Sequence, residues 1–214
     1  MSDDSDQKQT LDGAYALKTP EDSKKLYAEW ADSYDATFAE AHDYRSPALV
    51  AEAYRDAGGM GAVLDVGAGT GLCGAALVAI GVGPVEATDI SQEMLDVAET
   101  KNIYARLFVG DLTGRLPVED ATYAGIVSSG TFTHGHVGPE ALDELLRIAR
   151  PGAQFALSIH THHYVSEGFV AKLKALGDQI TDLRLPVIRL YGEDGTGDHK
   201  DDRAYVALFR KVRD

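Results

Sequence analysis

The sequence predicts an α/β fold: a doubly wound, mostly parallel sheet with helices on both faces. Three observations carry this expectation. From about residue 60 onward, short apolar runs alternate with stretches of helical periodicity, the pattern of repeated strand–helix units. The run AVLDVGAGTG at 62–71 passes from a buried strand into a turn with glycines on alternate positions, Gly67, Gly69 and Gly71, whose backbone must lie close to a ligand. Acidic residues recur at or near the ends of three strands, as Asp65, Asp89 and Asp111, on the edge where a doubly wound sheet binds its ligands.

Residues 1–20 read as a polar, mobile tail, with Leu11, Tyr15 and Leu17 able to fold part of it over a site. A single domain is expected over 21–214, divided into a helical segment at 21–57 and a sheet core at 60–214. A first helix starts after Thr19, with Pro20 at its first position and Glu21 and Asp22 in its first turn, and sets Leu26, Tyr27, Trp30, Ala31 and Tyr34 at helical spacing. A second runs from Ser46-Pro47 to Asp56 and stops at Gly58-Gly59. Strands are expected near 62–66, 85–89, 105–109, 123–128 and 153–159, with helices near 70–80, 91–101 and 139–150 between them. Ser91 caps the second of these helices, Glu93 supports its first turn, and Arg150-Pro151-Gly152 ends the third. After a helix near 164–177, two apolar runs at 183–191 and 203–211 flank the turn-rich Gly192–Gly197 and bring the strand count to seven.

The chain has 214 residues, 44% of them hydrophobic and 25% charged, as expected of a globular domain. Its net charge of −14 repels phosphate backbones and disfavours a nucleic-acid partner, and the plain reading of such a charge is solubility or adaptation to a salty cytoplasm. No run approaches the ~18 apolar residues of a membrane span, the N-terminus lacks the apolar core of a signal peptide, and the single cysteine, Cys73, forms no internal disulfide. These features point to a cytoplasmic protein without a membrane partner, and they leave the oligomeric state open.

The glycine turn matches two chemistries. Residues 69–74 read GxGxxG, the dinucleotide fingerprint that holds a pyrophosphate on backbone N–H groups and a helix N-terminus. In that motif, however, the first glycine ends the strand, and here Gly67 does so rather than Gly69. No Lys or Arg lies between Arg55 and Lys101, and Asp65 precedes the turn, so the local charge suits a cation better than a phosphate. An acid at Asp89 fits a ribose in either case, each charge-assisted hydrogen bond contributing about 1.5–3 kcal/mol.

The segment around the turn resembles motif I of the class I S-adenosylmethionine-dependent methyltransferases, and the chain from about Leu26 onward keeps the motif order of that superfamily. The resemblance implies a Rossmann-like core, an antiparallel C-terminal hairpin and an N-terminal helical lid at 21–57. It also implies S-adenosyl-L-methionine as cofactor and S-adenosyl-L-homocysteine as product. The cofactor-binding residues would be Asp65 with the loop Gly67, Ala68, Gly69, Thr70 and Gly71, then Asp89 at the ribose hydroxyls and Asp111 at the adenine amine, with Ile90 and Leu112 on either side of the ring. Ser128 would join them from the end of the fourth strand. Tyr27, Trp30 and Tyr34 share one helical face and would shield the sulfonium, which aromatic faces attract by ~0.5–2 kcal/mol; a core-packing stripe is the plain alternative. The combination of Tyr27, Trp30, Ala31, Tyr34 and Asp35, then Asp43-Tyr44-Arg45-Ser46-Pro47, and finally Leu145 to Gly152, is similar to the methyltransferase-like proteins named after the Williams–Beuren syndrome region.

Five of the seven histidines, His134, His136, His160, His162 and His163, follow the fourth and fifth strands. They read three ways: a general base, with His134 the choice; a metal site, for which no HExxH or Cys–His spacing appears; or side chains lining the rim of the pocket. The expected function is methyl transfer to a small-molecule or exposed side-chain nucleophile by in-line displacement. A binding protein without turnover and a nicotinamide-dependent oxidoreductase are the alternatives.

Overall fold

The structure, a computed structural model, describes residues 26, 28–31, 33–40, 42–133, 137–192 and 199–213. The polar tail, the start of the first helix, Tyr27, His134, His136 and most of the Gly192–Gly197 turn lie outside the described residues.

One sheet organises the chain. Its strands are β1 (Val63–Val66), β2 (Val85–Asp89), β3 (Arg106–Val109), β4 (Tyr123–Phe132), β5 (Ala149–His160), β6 (Ile180–Arg184), β7 (Val187–Arg189) and β8 (Arg203–Lys211). They lie in the order β3-β2-β1-β4-β5-β8-β6, with β7 also paired to β8. Pairings from β3 through β5 are parallel, and β8 runs antiparallel to β5, β6 and β7. The chain winds outward from β1 through β2 to β3, then returns to the other side of β1 as β4. That reversal opens a crevice beyond the carboxyl ends of β1 and β4.

The helices are α1 (Ser46–Asp56), α2 (Leu72–Ala79), α3 (Gln92–Thr100), α4 (Ala141–Ile148), α5 (Thr161–Ser166) and α6 (Phe169–Ala175), preceded by a π-helical turn at Asp35–Glu40. All four residues of β1 are buried, as a strand covered on both faces requires. One face packs Leu142, Leu145 and Phe169 against Phe155 and Phe209. The other packs Val50, Tyr54 and Leu77 against Val63, Val127 and Val206. A third cluster joins Leu26, Trp30 and Phe38 to Leu190, Tyr191 and Ala204, holding the N-terminal aromatic segment against the C-terminal strands. Ser91 caps α3 as expected, its hydroxyl accepting from the Met94 N–H.

Three expectations need correction. The sheet has eight strands, not seven, because the run 183–191 divides around Pro186, which has no N–H to give the ladder; its carbonyl instead accepts from the Val206 N–H. Arg150-Pro151-Gly152 does not end a helix: α4 stops at Ile148, where the Arg147 and Ile148 carbonyls accept from Ala121 and Thr122, and β5 has already begun. The helix expected at 164–177 is two helices, α5 and α6, parted at the left-handed Gly168.

Candidate cofactor-binding site

The strand β1 ends at Val66, and the next five residues form a loop stitched to the end of β2. The N–H groups of Gly67 and Ala68 both donate to the Thr88 carbonyl, at 2.9 and 3.1 Å, and that of Gly69 donates to Asp89 Oδ2 at 2.8 Å. Gly67, Gly69 and Gly71 all adopt positive φ, at 64°, 55° and 91°. A β-carbon at Gly67 would overlap the Thr131 side chain, and one at Gly71 would lie 2.9 Å from Tyr104 Cε2; one at Gly69 would meet nothing within 4 Å. Gly69 therefore faces open space.

That space is a cleft of about 970 Å³ including its open mouth. Ile90, Met94 and Leu112 give it apolar lining, and Asp89 and Asp111 line it too. Asp89 Oδ1 accepts from the Ser91 N–H at 3.0 Å while Oδ2 holds Gly69. Burial pushes the Asp89 carboxyl above the ordinary range, against the pull of the Ser91, Gly69 and Ile90 N–H groups. Asp111 Oδ1 accepts from both the backbone N–H and the hydroxyl of Thr113, at 2.8 and 2.7 Å. The lining also includes Tyr34, Tyr44, Pro47, Ser129, Gly130, Thr131 and Val137. There the Ser46 and Ser129 hydroxyls pair at 2.9 Å, and Tyr44 Oη stands 3.5 Å from Ser129 Oγ.

Of the residues singled out from the sequence, Tyr34, Gly67, Ala68, Gly69, Thr70, Asp89, Ile90, Asp111 and Leu112 line this cleft. Four others do not. Trp30 is 2% exposed in the third apolar cluster, and its indole N–H is satisfied by Thr37 Oγ1 at 2.9 Å, so it is packing rather than wall. Ser128 is buried and donates to the Val66 carbonyl at 2.8 Å. Gly71 faces the Tyr104 ring. Asp65 lies beneath the loop, where its Oδ2 accepts from the Tyr104 hydroxyl at 2.9 Å. The negative charge at the cleft thus comes from Asp89 and Asp111, and not from Asp65.

Histidines 160, 162 and 163 are not among the cleft-lining residues. His163 is buried and pairs with the Val137 carbonyl; His160 is buried beside Asp202, and burial holds its imidazole below the ordinary value. Sequence reasoning missed Tyr44, Met94, Ser129 and Thr131 as wall residues. The serines and threonine in the last part of β4 were the available signal, since hydroxyls at a parallel strand's carboxyl end face the ligand edge.

Burial pushes the Asp65 carboxyl up to about 7, with the Tyr104 hydroxyl and the Gly74 N–H pulling the other way. An unfolded aspartate ionises near pH ~3.9, so between that pH and about 7 the native state holds a proton that the unfolded state has lost. Stability accordingly falls as pH rises through this window and levels off above it, by up to about 4 kcal/mol. Urea unfolding from pH 5 to 8.5 should show the fall in wild type and a flattened profile in Asp65→Asn; equal slopes in the two proteins refute the assignment.

The arrangement suits a nucleoside with a positively charged, methionine-like tail. Gly69 leaves the room that a β-carbon would fill, and two carboxylate residues, Asp89 and Asp111, line the cleft together with the apolar Ile90 and Leu112 and with Tyr34. Residues 63–152 match the methyltransferase domain model. The human methyltransferase-like protein 27 is 31% identical over 150 residues, 67% of this chain and 60% of that protein. This chain therefore spans less than two thirds of that relative's length. A Thermotoga maritima S-adenosylmethionine-dependent methyltransferase, described as a possible histamine N-methyltransferase, superposes with a TM-score of 0.64 at 14% identity over 89% of this chain and 99% of its own. The [4+2]-cyclase SpnF gives 0.67 at 16% identity over 92% and 98%. The domain match, the human relative and the shared fold agree in making this chain similar to methyltransferases, and it shares their fold.

Proposed function

We propose that this protein transfers the methyl group of S-adenosylmethionine to a small-molecule or exposed side-chain nucleophile, releasing S-adenosylhomocysteine. The observation that carries the reading is the glycine loop left open at Gly69 between the carboxylates of Asp89 and Asp111. When bound, the cofactor supplies a methyl group on a positively charged sulfur. Asp89 already holds two backbone N–H groups, and a carboxylate has about four acceptor positions, so it keeps capacity for ribose hydroxyls. Asp111 keeps Oδ2 for the adenine amine, and Ile90 and Leu112 take the ring. Tyr34 covers the sulfur end and excludes water from it.

The Ser129, Thr131 and Tyr44 hydroxyls, which line the same cleft as Tyr34, receive the acceptor. Burial raises the Tyr44 phenol above its ordinary value, so it stays protonated at neutral pH and orients by hydrogen bonding rather than by taking a proton. His134 is the general base in this reading, although it lies outside the described residues. Alignment of nucleophile and methyl group supplies about 7–11 kcal/mol, so the reaction asks little more of the side chains. We also read 21–214 as one domain whose segment 21–57 is the lid, behind a polar tail at 1–20. Among the described residues no helix is long and apolar enough to cross a membrane.

Calorimetric titration tests the reading: both S-adenosylmethionine and S-adenosylhomocysteine bind, NADH does not, and an acceptor screen releases S-adenosylhomocysteine. Absence of binding by either cofactor form refutes it. A second reading, binding followed by chemistry other than methyl transfer or by none, draws support from the fold similarity to SpnF, a cyclase. It is favoured if binding occurs without methylated product across the screen.

A further inference from the structure

Asp35 opens the π-helical turn directly after Tyr34, whose ring lines the cleft. Its carboxylate reaches two elements of the sheet core at once. Oδ1 accepts from the Thr70 hydroxyl at 2.5 Å, and Oδ2 meets the Lys101 ammonium at 2.6 Å. Thr70 is 1% exposed and stands between Gly69 and Gly71 in the glycine loop, while Lys101 caps the C-terminal end of α3. Three separate stretches of sequence thus converge on one side chain. The other attachments of this aromatic segment run elsewhere: Phe38 to Tyr44 and Tyr191, and Trp30 into the cluster with Leu190 and Ala204.

We propose that Asp35 is a latch, a positioning residue that locks the Tyr34 ring over the cleft and couples its placement to the conformation of the glycine loop. The Thr70 hydroxyl is the donor that reads the loop, because it moves with Gly69 and Gly71. Lys101 neutralises Asp35 through the oxygen that Thr70 does not use, which keeps a carboxylate stable at a site only about one third open to water. The ion pair itself, partly solvated, contributes little; the hydroxyl bond to a charged acceptor contributes more. Coupling of this kind is reciprocal: whatever fixes the loop also holds the ring, and whatever frees the ring loosens the loop's grip on its ligand. The proposal relies on the methyltransferase reading for the identity of that ligand, and for nothing else.

The chain carries its own reporter. Trp30 is its single tryptophan and stands edge-on to Tyr34 at 5.1 Å. Acrylamide quenching of Trp30 in the full chain follows the segment with or without ligand, and calorimetry with S-adenosylhomocysteine follows the cleft. Asp35→Ala and Thr70→Val should each raise the quenching constant at least about twofold and weaken S-adenosylhomocysteine about tenfold. The double variant should be no worse than either single one, because both remove the same bond. Thr70→Ser, which keeps the hydroxyl, should behave as wild type. Quenching and affinity both within twofold of wild type in Asp35→Ala overturn the latch, and so does a Thr70→Ser that fails like Thr70→Val. If even the wild-type protein binds no S-adenosylhomocysteine, the cofactor reading falls, while the quenching series still decides the latch.

Discussion

Gly67→Ala should abolish S-adenosylhomocysteine binding, by about 100-fold or more, in a protein that still folds. At φ 64° an L-residue pays about 1–2 kcal/mol for the left-handed conformation. The larger cost is steric, because the new methyl group would occupy the space of the Thr131 side chain. Thr131 cannot simply swing away: its hydroxyl donates to the Val66 carbonyl at 3.2 Å and the Gly67 carbonyl at 3.3 Å, tying the end of β4 to the start of the loop. The loop must therefore shift away from β4, which misplaces Gly69 against Asp89. Gly69→Ala provides the contrast. Its φ of 55° carries a similar conformational cost, but the methyl group enters empty cleft and disturbs no neighbour. Thermal unfolding should thus show Gly67→Ala clearly less stable than Gly69→Ala, while calorimetry shows binding lost in both. Retention of binding within threefold in Gly67→Ala refutes the claim that this residue sets the loop.

Much of the architecture was legible because strand and glycine signals are local. The run at 63–66 had to be a buried strand, its glycines had to turn, and the acids at Asp89 and Asp111 followed from the parallel repeat. What sequence reading missed had non-local causes. A carboxylate one residue from a glycine loop looks ligand-facing, yet β-strand alternation turns Asp65 under the loop, toward a Tyr104 that is distant in sequence. Trp30 and Tyr34 share a helical face by spacing, but Leu190 and Tyr191 from the chain's far end bury the first and leave the second at the cleft. The latch at Asp35 needs a loop threonine and a lysine from beyond α3, and no periodicity brings those together. The two halves of the run at 183–191 were separable in advance, since Pro186 interrupts any ladder. The identity of the acceptor was not legible, because the hydroxyls that face it are common residues with no spacing of their own.

Asp89→Asn should separate binding from folding more sharply than any other single change in the cleft. The carboxylate accepts from two backbone donors, Gly69 N–H through one oxygen and Ser91 N–H through the other. An asparagine has one oxygen and one NH2 group, so whichever way it turns, one backbone N–H faces another donor. Such a mismatch costs about 1–3 kcal/mol. Burial works in the opposite direction, because it disfavours the charged form of Asp89 and the neutral amide escapes that penalty. The two effects oppose each other, and the unfolding free energy at pH 7 should change by less than about 2 kcal/mol. Ligand binding has no such compensation. The ribose hydroxyls lose a charged acceptor, and the flipped amide releases either Gly69 or the turn into α3, so S-adenosylhomocysteine affinity should fall about 100-fold. Adenosine, which keeps the ribose and lacks the amino-acid tail, should lose a similar factor, whereas Asp35→Ala should cost adenosine less than it costs S-adenosylhomocysteine. An Asp89→Asn protein that binds both ligands within threefold of wild type refutes the ribose role and leaves Asp89 as a brace for the glycine loop.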